Sequence, residues 1–562
     1  MRYKFARLVA HAATIEGDTP EILVPHPTQS NSTRMHVSLS TRRKLLHFAT
    51  AGVAGLMLPK QAWSLPRFDS DPFKLGVASG SPTHTSVVLW TRLLQTGVFG
   101  SNPLSGQSIL VHWEMASDER FAKVVQRGKV LAVEELAHSV HAEPTGLEPD
   151  RWYYYRFRAG DAVSPTGRTR TFPAPDAEPT KLRLAFASCQ RWEHGYFSAY
   201  RHMRNENLDA VVFLGDYIYE YPAAGNAVRI PSGGWVVTLD DYRKRYALHK
   251  GEAELQDMHA ACPWLVTWDD HEVQNDYAGI HPGDSGAPVA DFLARRAAAY
   301  QAYYEHMPLR ASVLTQGLAG LASGAEMRIY QSIAFGKLAT LHLLDDRQYR
   351  DAQACTPGEK AGSGRINPEQ CTLWNDAKRT LLGSTQEQWL DQSLQQGSPG
   401  WNLICQQTLF GMRDSKAGVG RSLWNDGWDG YPAARQRMVT SLTQHKVANP
   451  VILGGDVHEN WVGHVKADYN DTNSATIGVE FCGTSISSRG GGNAHMAERL
   501  AENPHFLFAD GERKGYGVVE ITASQLTTTL RVVDDATHKD TQIETLAQFT
   551  VQAGKSAVRR TV

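Results

Sequence analysis

At 562 residues the chain exceeds the roughly 250–300 at which one hydrophobic core stops growing, so two or more domains are expected. A content of 42% hydrophobic and 21% charged residues excludes a disordered or fibrous protein. Lys and Arg number 57 against 59 Asp and Glu, a net charge of −2; no long-range field favours nucleic acid or an anionic membrane, and any anion must be caught locally.

Residues 1–34 precede Met35 and are expected to be a start-site overextension that carries no fold. In residues 35–64, the stretch "STRRKLLHFATAGVAGLMLPKQAWS" sets Arg42-Arg43 before an apolar run from Leu45 to Leu58 and ends in Ala62-Trp63-Ser64, an acceptable small-x-small cleavage site. The run is shorter than the roughly 20 residues of a membrane-spanning helix. It resembles a twin-arginine export signal, so the chain is expected to meet the twin-arginine machinery and to work in the periplasm or outside the cell. No later segment reads as a membrane span. Export permits disulfides, and Cys355 and Cys371 bracket a polar, Gly/Pro-rich loop of the kind a disulfide staples. Cys262, Cys405 and Cys482 sit in apolar surroundings as small buried hydrophobes.

From 73 to 172 short alternating strands follow one another, among them "SVVLWTRL", "SILVHWEMA", "RWYYYRFRAG" and "GRTRTF", separated by turn residues. This is the pattern of an all-β sandwich. Leu147, Pro149 and Tyr153 resemble the tyrosine corner of fibronectin-III or Ig-like sandwiches. "PAPDAEPT", from Pro173 to Thr180, is a Pro-rich linker. From 181 to 546 the style changes to continuous apolar strands alternating with helical stretches, which predicts an α/β domain.

The polar residues of that second domain fall at strand ends: Cys189, Asp216, Asp269-Asp270-His271, Asp345-Asp346, and Asp456 with His458. Ligands of open α/β sheets gather beyond the carboxyl ends of strands, so these positions should converge on one edge. In extended chain Asp456 and His458 face one side while Val457 faces the other; adjacent Asp269 and Asp270 point apart, and Asp270 is the preferred ligand of the two. Oxygen, nitrogen and a thiol together suggest more than one metal, hard ions for carboxylate and amide oxygens and a transition metal for thiolate, imidazole and phenolate.

The segments "FASCQ", "LGDYIYEY", "TLDDYRKRYALHK", "VTWDDHEVQNDYAG", "DDRQYRD", "DGWDGYPAARQR" and "GGDVHENW" together resemble the PhoD-type alkaline phosphatase/phosphodiesterase family of the calcineurin-like metallophosphatase superfamily. The resemblance runs from about Phe73 to Leu546. It implies a calcineurin-like α/β sandwich as the catalytic domain and a centre of Fe3+ and Ca2+. Asp216 would bridge the metals, with Tyr219 as phenolate and Cys189 as thiolate on the iron. Asp270, His271 and Asn275 would supply a second cluster, and Asp456 with His458 a third. The broader superfamily's Asp-x-His and Gly-Asn-His-Glu are replaced here by Cys189 and "WDDHE", which ties the resemblance to the PhoD branch.

Such a centre would hydrolyse phosphomonoesters or phosphodiesters by activating water for in-line attack. Arg347, just beyond a strand, is the candidate for holding substrate oxygens. His271 or His458 is a candidate proton donor to the leaving oxygen, although ligation is preferred for both. Two other functions compete: a phospholipase D-like diesterase acting on lipid head groups, distinguished by activity on phosphatidylcholine without activity on aryl phosphates; and a noncatalytic cell-envelope binding protein that uses metal for stability alone. The tyrosines Tyr300, Tyr303 and Tyr304 of "DFLARRAAAYQAYYEHM" read as core, and the Gly-rich "SSRGGGN" as weak evidence for phosphate binding.

Overall fold

The computed structural model describes residues 68–562, apart from 96–103, 105, 232, 284–288, 315–326, 357–361 and 397–398. The expected overextension and export signal lie outside the described residues. Among those described, no helix is long and apolar enough to cross a membrane.

Two large sheets form the centre. In the first, Leu182–Ala187, Ala210–Leu214 and Trp264–Thr267 run parallel, flanked on one side by the antiparallel strands Lys514–Ile521, Gln525–Val533, Ile543–Gln552 and Val558–Arg560. In the second, Ala339–Leu343, Trp401–Cys405, Pro450–Gly454 and Thr476–Cys482 run parallel, with Gln331–Phe335 and the pair Asn460–Lys466 and Phe506–Asp510 at its edges. The sheets face each other across one core that joins Leu184, Phe186 and Val212 to Leu341, Leu403 and Leu453. Side chains alternate between the faces of a strand. The residues between these, Ala185, Val211 and Phe213, therefore point outward, against helical residues such as Tyr200, Tyr246 and Tyr303. On the far side Ile404 and Ile452 pack on Leu390, Leu394 and Met438 of two further helices. Strands covered on both faces must be apolar throughout, which is why they read as continuous hydrophobic runs.

The helices begin where side chains can cap them. Thr238 and Asp241 form a reciprocal capping box ahead of Leu239–Lys250, and Asp291 accepts from the Ala294 amide at 3.0 Å to start Phe292–His306. Tyr300, Tyr303 and Tyr304 of that second helix are buried, as expected of core residues. Tyr300 stacks on Trp268 with ring centroids 4.2 Å apart.

The region from 73 to 172 contains the predicted strands Val88–Arg92, Ile109–Ala116, Trp152–Ala159 and Gly167–Arg170. Two layers face each other over Leu89, Val111, Val140, Tyr155 and Phe157. The Glu148 amide donates to the Tyr153 hydroxyl at 3.1 Å. One layer is not separate from the rest of the chain. Val77–Gly80, Val88–Arg92 and Ser139–Ala142 extend the first large sheet beyond Trp264–Thr267, joined where Gly80 lies beside Trp264. A Cβ on Gly80 would come within 2.6 Å of the Trp264 carbonyl and 2.7 Å of Pro308, so only glycine fits that junction. Cys355 and Cys371 are disulfide-bonded, and the free cysteines Cys189, Cys262, Cys405 and Cys482 are all buried.

Candidate metal centre

The carboxyl ends of the parallel strands in both sheets open on one edge, and the backbone turns there in an unusual way. Cys189, Asp216, Asp456 and His458 have φ of 59°, 57°, 64° and 58°. Left-handed backbone in non-glycine residues costs roughly 1–3 kcal/mol each and persists only where the surroundings enforce it. Asp456-Val457-His458 is therefore not the extended segment expected; two left-handed residues flank Val457, and both side chains still reach the same site. Gly215, at φ 99°, makes the neighbouring approach possible, since a Cβ there would lie 2.4 Å from that of Asp269.

Ligand atoms of Cys189, Asp216 and His458 lie within 4.8 Å of one another, as do those of Asp216, Asp270 and His271, and those of Asp216, Asp269 and Asp456. Asp216 is common to all three. The Tyr219 hydroxyl is 2.8 Å from Asp216 Oδ2 and 2.9 Å from His458 Nε2, and Ser488 donates to it at 2.9 Å. His458 Nδ1 lies 2.7 Å from the Arg489 carbonyl, which can only accept, so the proton sits on Nδ1 and the Nε2 lone pair faces the cluster. His271 Nδ1 is likewise engaged, 2.7 Å from Glu220 Oε2, and the Asn275 amide donates to Glu220 Oε1 at 2.8 Å. Thr408 donates to Asp456 Oδ2 at 2.5 Å. Asp269 and Asp270 do not diverge. The strand ends at Thr267, before both of them, and each joins a cluster.

Arg347 occupies a different place from the one expected. Its guanidinium is fully buried, donates to Asp269 and, at 2.7 Å, to Asp426, and lies 3.6 Å from Asp270. It is not among the residues on the wall of the cleft, and in this structure it holds carboxylates of the site instead. Several supporting residues escape sequence reasoning. The Glu272 carboxylate accepts from the amides of Asp216 at 3.1 Å, Tyr217 at 2.5 Å and Asp269 at 2.8 Å, fastening two ligand loops together. Asp276 and Asp426 form a further cluster with Asp270. Ser488 and Arg489 come from the Gly-rich loop, which bonds Tyr219, the Cys189 carbonyl and His458 and places Gly491 on the wall of the cleft.

The protein's own charges cannot be at rest in this arrangement. Burial, then Asp216, pushes the Cys189 thiol up, and burial followed by Asp216 and Cys189 does the same to the Tyr219 phenol. Burial raises Asp456 to about 7 against the pull of Arg347, and also raises Asp269. On Asp270 burial is outweighed by Arg347 and His271, which draw it down to about 2. Burial likewise opposes charge on His271, but Asp216, Glu220 and Asp270 prevail and lift it to about 10. Asp216 Oδ1 and Asp269 Oδ2 are buried with no hydrogen-bond partner. Orphaned carboxylate oxygens beside a thiol, a phenol and two imidazoles whose Nδ1 atoms are engaged elsewhere fit a set of cations.

The cleft above holds about 660 Å³, and Asp216, Asp270, His271, Asn275, Asp456 and His458 are on its wall. Cys189 and Tyr219 stand behind them, each 1% exposed.

A family model described as PhoD-like phosphatase matches residues 184–530, and one described as PhoD-like phosphatase, N-terminal domain, matches 59–173. The chain belongs to the PhoD-like phosphatase family. Alkaline phosphatase D of Bacillus subtilis (strain 168) is 44% identical over 505 residues, covering 88% of this chain and 83% of the relative. A solved structure titled "Structure of PhoD" superposes with a TM-score of 0.82 at 43% identity, covering 88% of this chain and 93% of that one. The PhoD-like match thus spans every strand end that contributes to the clusters.

Proposed function

We propose that this chain is an exported, metal-dependent hydrolase of phosphomonoesters, phosphodiesters or both. Its two domains, 73–172 and 181–546, would be a fibronectin-III/Ig-like sandwich and a calcineurin-like catalytic domain. The observation that carries the reading is the meeting of four chain segments, each just beyond a strand, around Asp216. Cys189, Tyr219 and His458 would hold Fe3+, with Asp216 shared; Asp270, Asn275 and Asp456 supply the oxygens that suit Ca2+, with His271 beside them. When bound, the cations would neutralise charge developing on the phosphoryl oxygens and activate water.

The chain's own part is orientation. The hydrogen bonds from His458 Nδ1 to Arg489 and from His271 Nδ1 to Glu220 turn both Nε2 atoms inward, which favours ligation over proton donation to the leaving oxygen. Arg347 pairs with Asp269 and Asp426 and helps, against burial, to draw the Asp270 carboxyl down to about 2, which keeps that oxygen donor charged. Thr408 and Ser488 fix Asp456 and Tyr219. The twin-arginine signal in 35–64 would deliver the enzyme to the periplasm or beyond.

The test is a panel of an aryl phosphomonoester, an aryl phosphodiester and phosphatidylcholine, measured before chelation, after it, and after return of iron and calcium. Hydrolysis of the aryl esters should vanish on chelation and return with metal. Asp216→Asn and Cys189→Ser should each abolish most turnover while the chain stays folded. Full activity in either variant, or activity on phosphatidylcholine alone, would overturn the assignment.

A further inference from the structure

The cleft has a second group of residues on its wall that the metal centre does not use. Arg365, Arg413 and Arg499 line it, with Ser363, Ser415 and Trp424. Glu459 is buried and shared: Oε2 receives Arg413 Nη1 at 3.0 Å and Oε1 receives Arg499 Nη1 at 3.0 Å. Arg365 has no carboxylate partner among the described residues; its Nη1 donates to the Ser415 hydroxyl. Three guanidinium groups thus stand against one carboxylate. Burial, then repulsion from Arg413 and Arg499, holds the Arg365 guanidinium below its ordinary range, which marks the three as close neighbours.

The group is tied to the metal centre from both sides. Glu459 directly follows His458, so the residue that fixes two arginines adjoins one that faces the clusters. Ser363 bonds Asp276 of the acidic cluster at 2.5 Å, and Arg365 is two residues on, a span of no more than roughly 7 Å. The Cys355–Cys371 disulfide closes the loop that carries Ser363 and Arg365, and Arg365 pairs across a short ladder with Trp424. Trp424 is 39% exposed and offers an apolar face between the charges. An arginine fork with no protein carboxylate, held in a cleft, matches the geometry of phosphate oxygens.

We propose that Arg365, with Arg413 and Arg499, forms a distal anion subsite that holds a second phosphate of the substrate, so that the preferred esters carry another phosphate one short linker from the scissile one. This rests on the reading of the carboxylate side as an ester hydrolase. The linker would lie along Trp424, and the distal phosphate would complete the charge left unbalanced at Arg365.

The test compares release of inorganic phosphate from butyl phosphate and from butane-1,4-diyl bisphosphate by the metal-replete full chain. Arg365 is the residue to change, because it supports no ion pair whose loss would unsettle Glu459. The parent should favour the bisphosphate by roughly tenfold or more in kcat/KM, the worth of a charge-assisted hydrogen bond. Arg365→Ala should collapse that ratio towards the twofold that two equivalent ends provide, and Arg365→Lys should keep part of it. A parent ratio near twofold, or an undiminished preference in Arg365→Ala, would overturn the subsite while leaving the hydrolase reading intact. Hydrolysis of neither ester would overturn the subsite as a holder of bisphosphates, and the hydrolase reading would then be decided by the aryl ester panel alone.

Discussion

Replacing Glu272 by Gln perturbs the metal centre without touching a proposed ligand. The Glu272 carboxylate receives three backbone amides, two through Oε2 and one through Oε1. An amide side chain presents one acceptor, so at least one N–H from Asp216, Tyr217 or Asp269 is left facing an NH2 group. A buried donor without an acceptor costs about 1–3 kcal/mol. The loss should be felt most when the site is loaded. Burial, then the charge on Asp216, raises Glu272 to about 8, and a cation on Asp216 would cancel the second cause and return the full acceptor strength of the carboxylate. Supporting bonds of this kind change metal affinity by about 10–100-fold. In a calcium titration of aryl phosphate hydrolysis after chelation, half-saturation in Glu272→Gln should move at least tenfold higher, with kcat at saturation within a few-fold of the parent. Denaturant unfolding of the metal-free chain should show a loss of about 1–3 kcal/mol. An unchanged calcium dependence together with unchanged stability would refute the view that Glu272 fastens the two ligand loops.

Gly215→Ala should be more severe than its size suggests, because it combines a left-handed backbone with a Cβ 2.4 Å from Asp269; a stability loss of about 2 kcal/mol or more and activity below a tenth of the parent are expected from strain and overpacking, read by unfolding and by turnover. His342 tests pH dependence away from the metals. Burial depresses its pKa from 6.5 to about 4, so the folded chain binds fewer protons than the unfolded one between those values. Its contribution is whole above pH 6.5 and is lost as pH falls to 4, by up to about 3 kcal/mol. The stability of the parent relative to His342→Gln, followed by denaturant unfolding from pH 7 to 4, should decline by that order; a difference independent of pH would contradict the buried neutral imidazole.

Much of the layout was legible because burial on both faces leaves a strand no choice but to be apolar. "LRLAFA" and "AVVFL" could be placed on sight, and the polar residue after each marked the open edge. The pairing of Val77–Gly80 with Trp264–Thr267 was not legible, since a parallel neighbour nearly two hundred residues away leaves no local period. The settings of Asp269 and Arg347 were not legible either, for related reasons. Sequence indicates that a strand has ended, but not how the chain turns afterwards, and an arginine beyond a strand reads the same whether it faces solvent or props carboxylates from beneath. Glu272 and Ser488 gave no signal, because their partners are the amides of Asp216, Tyr217 and Asp269, and the Tyr219 hydroxyl of a distant loop. The left-handed turns at Cys189, Asp216, Asp456 and His458 were invisible too; side chains of those types carry no requirement for positive φ, and the fold imposes it.

The most direct measurement is elemental analysis of freshly purified, active protein together with its visible spectrum and that of Tyr219→Phe. Iron and calcium should accompany the active chain, with an absorption band from phenolate on ferric iron that disappears in Tyr219→Phe. A colourless, metal-free preparation with full activity would contradict a cation centre built on Asp216.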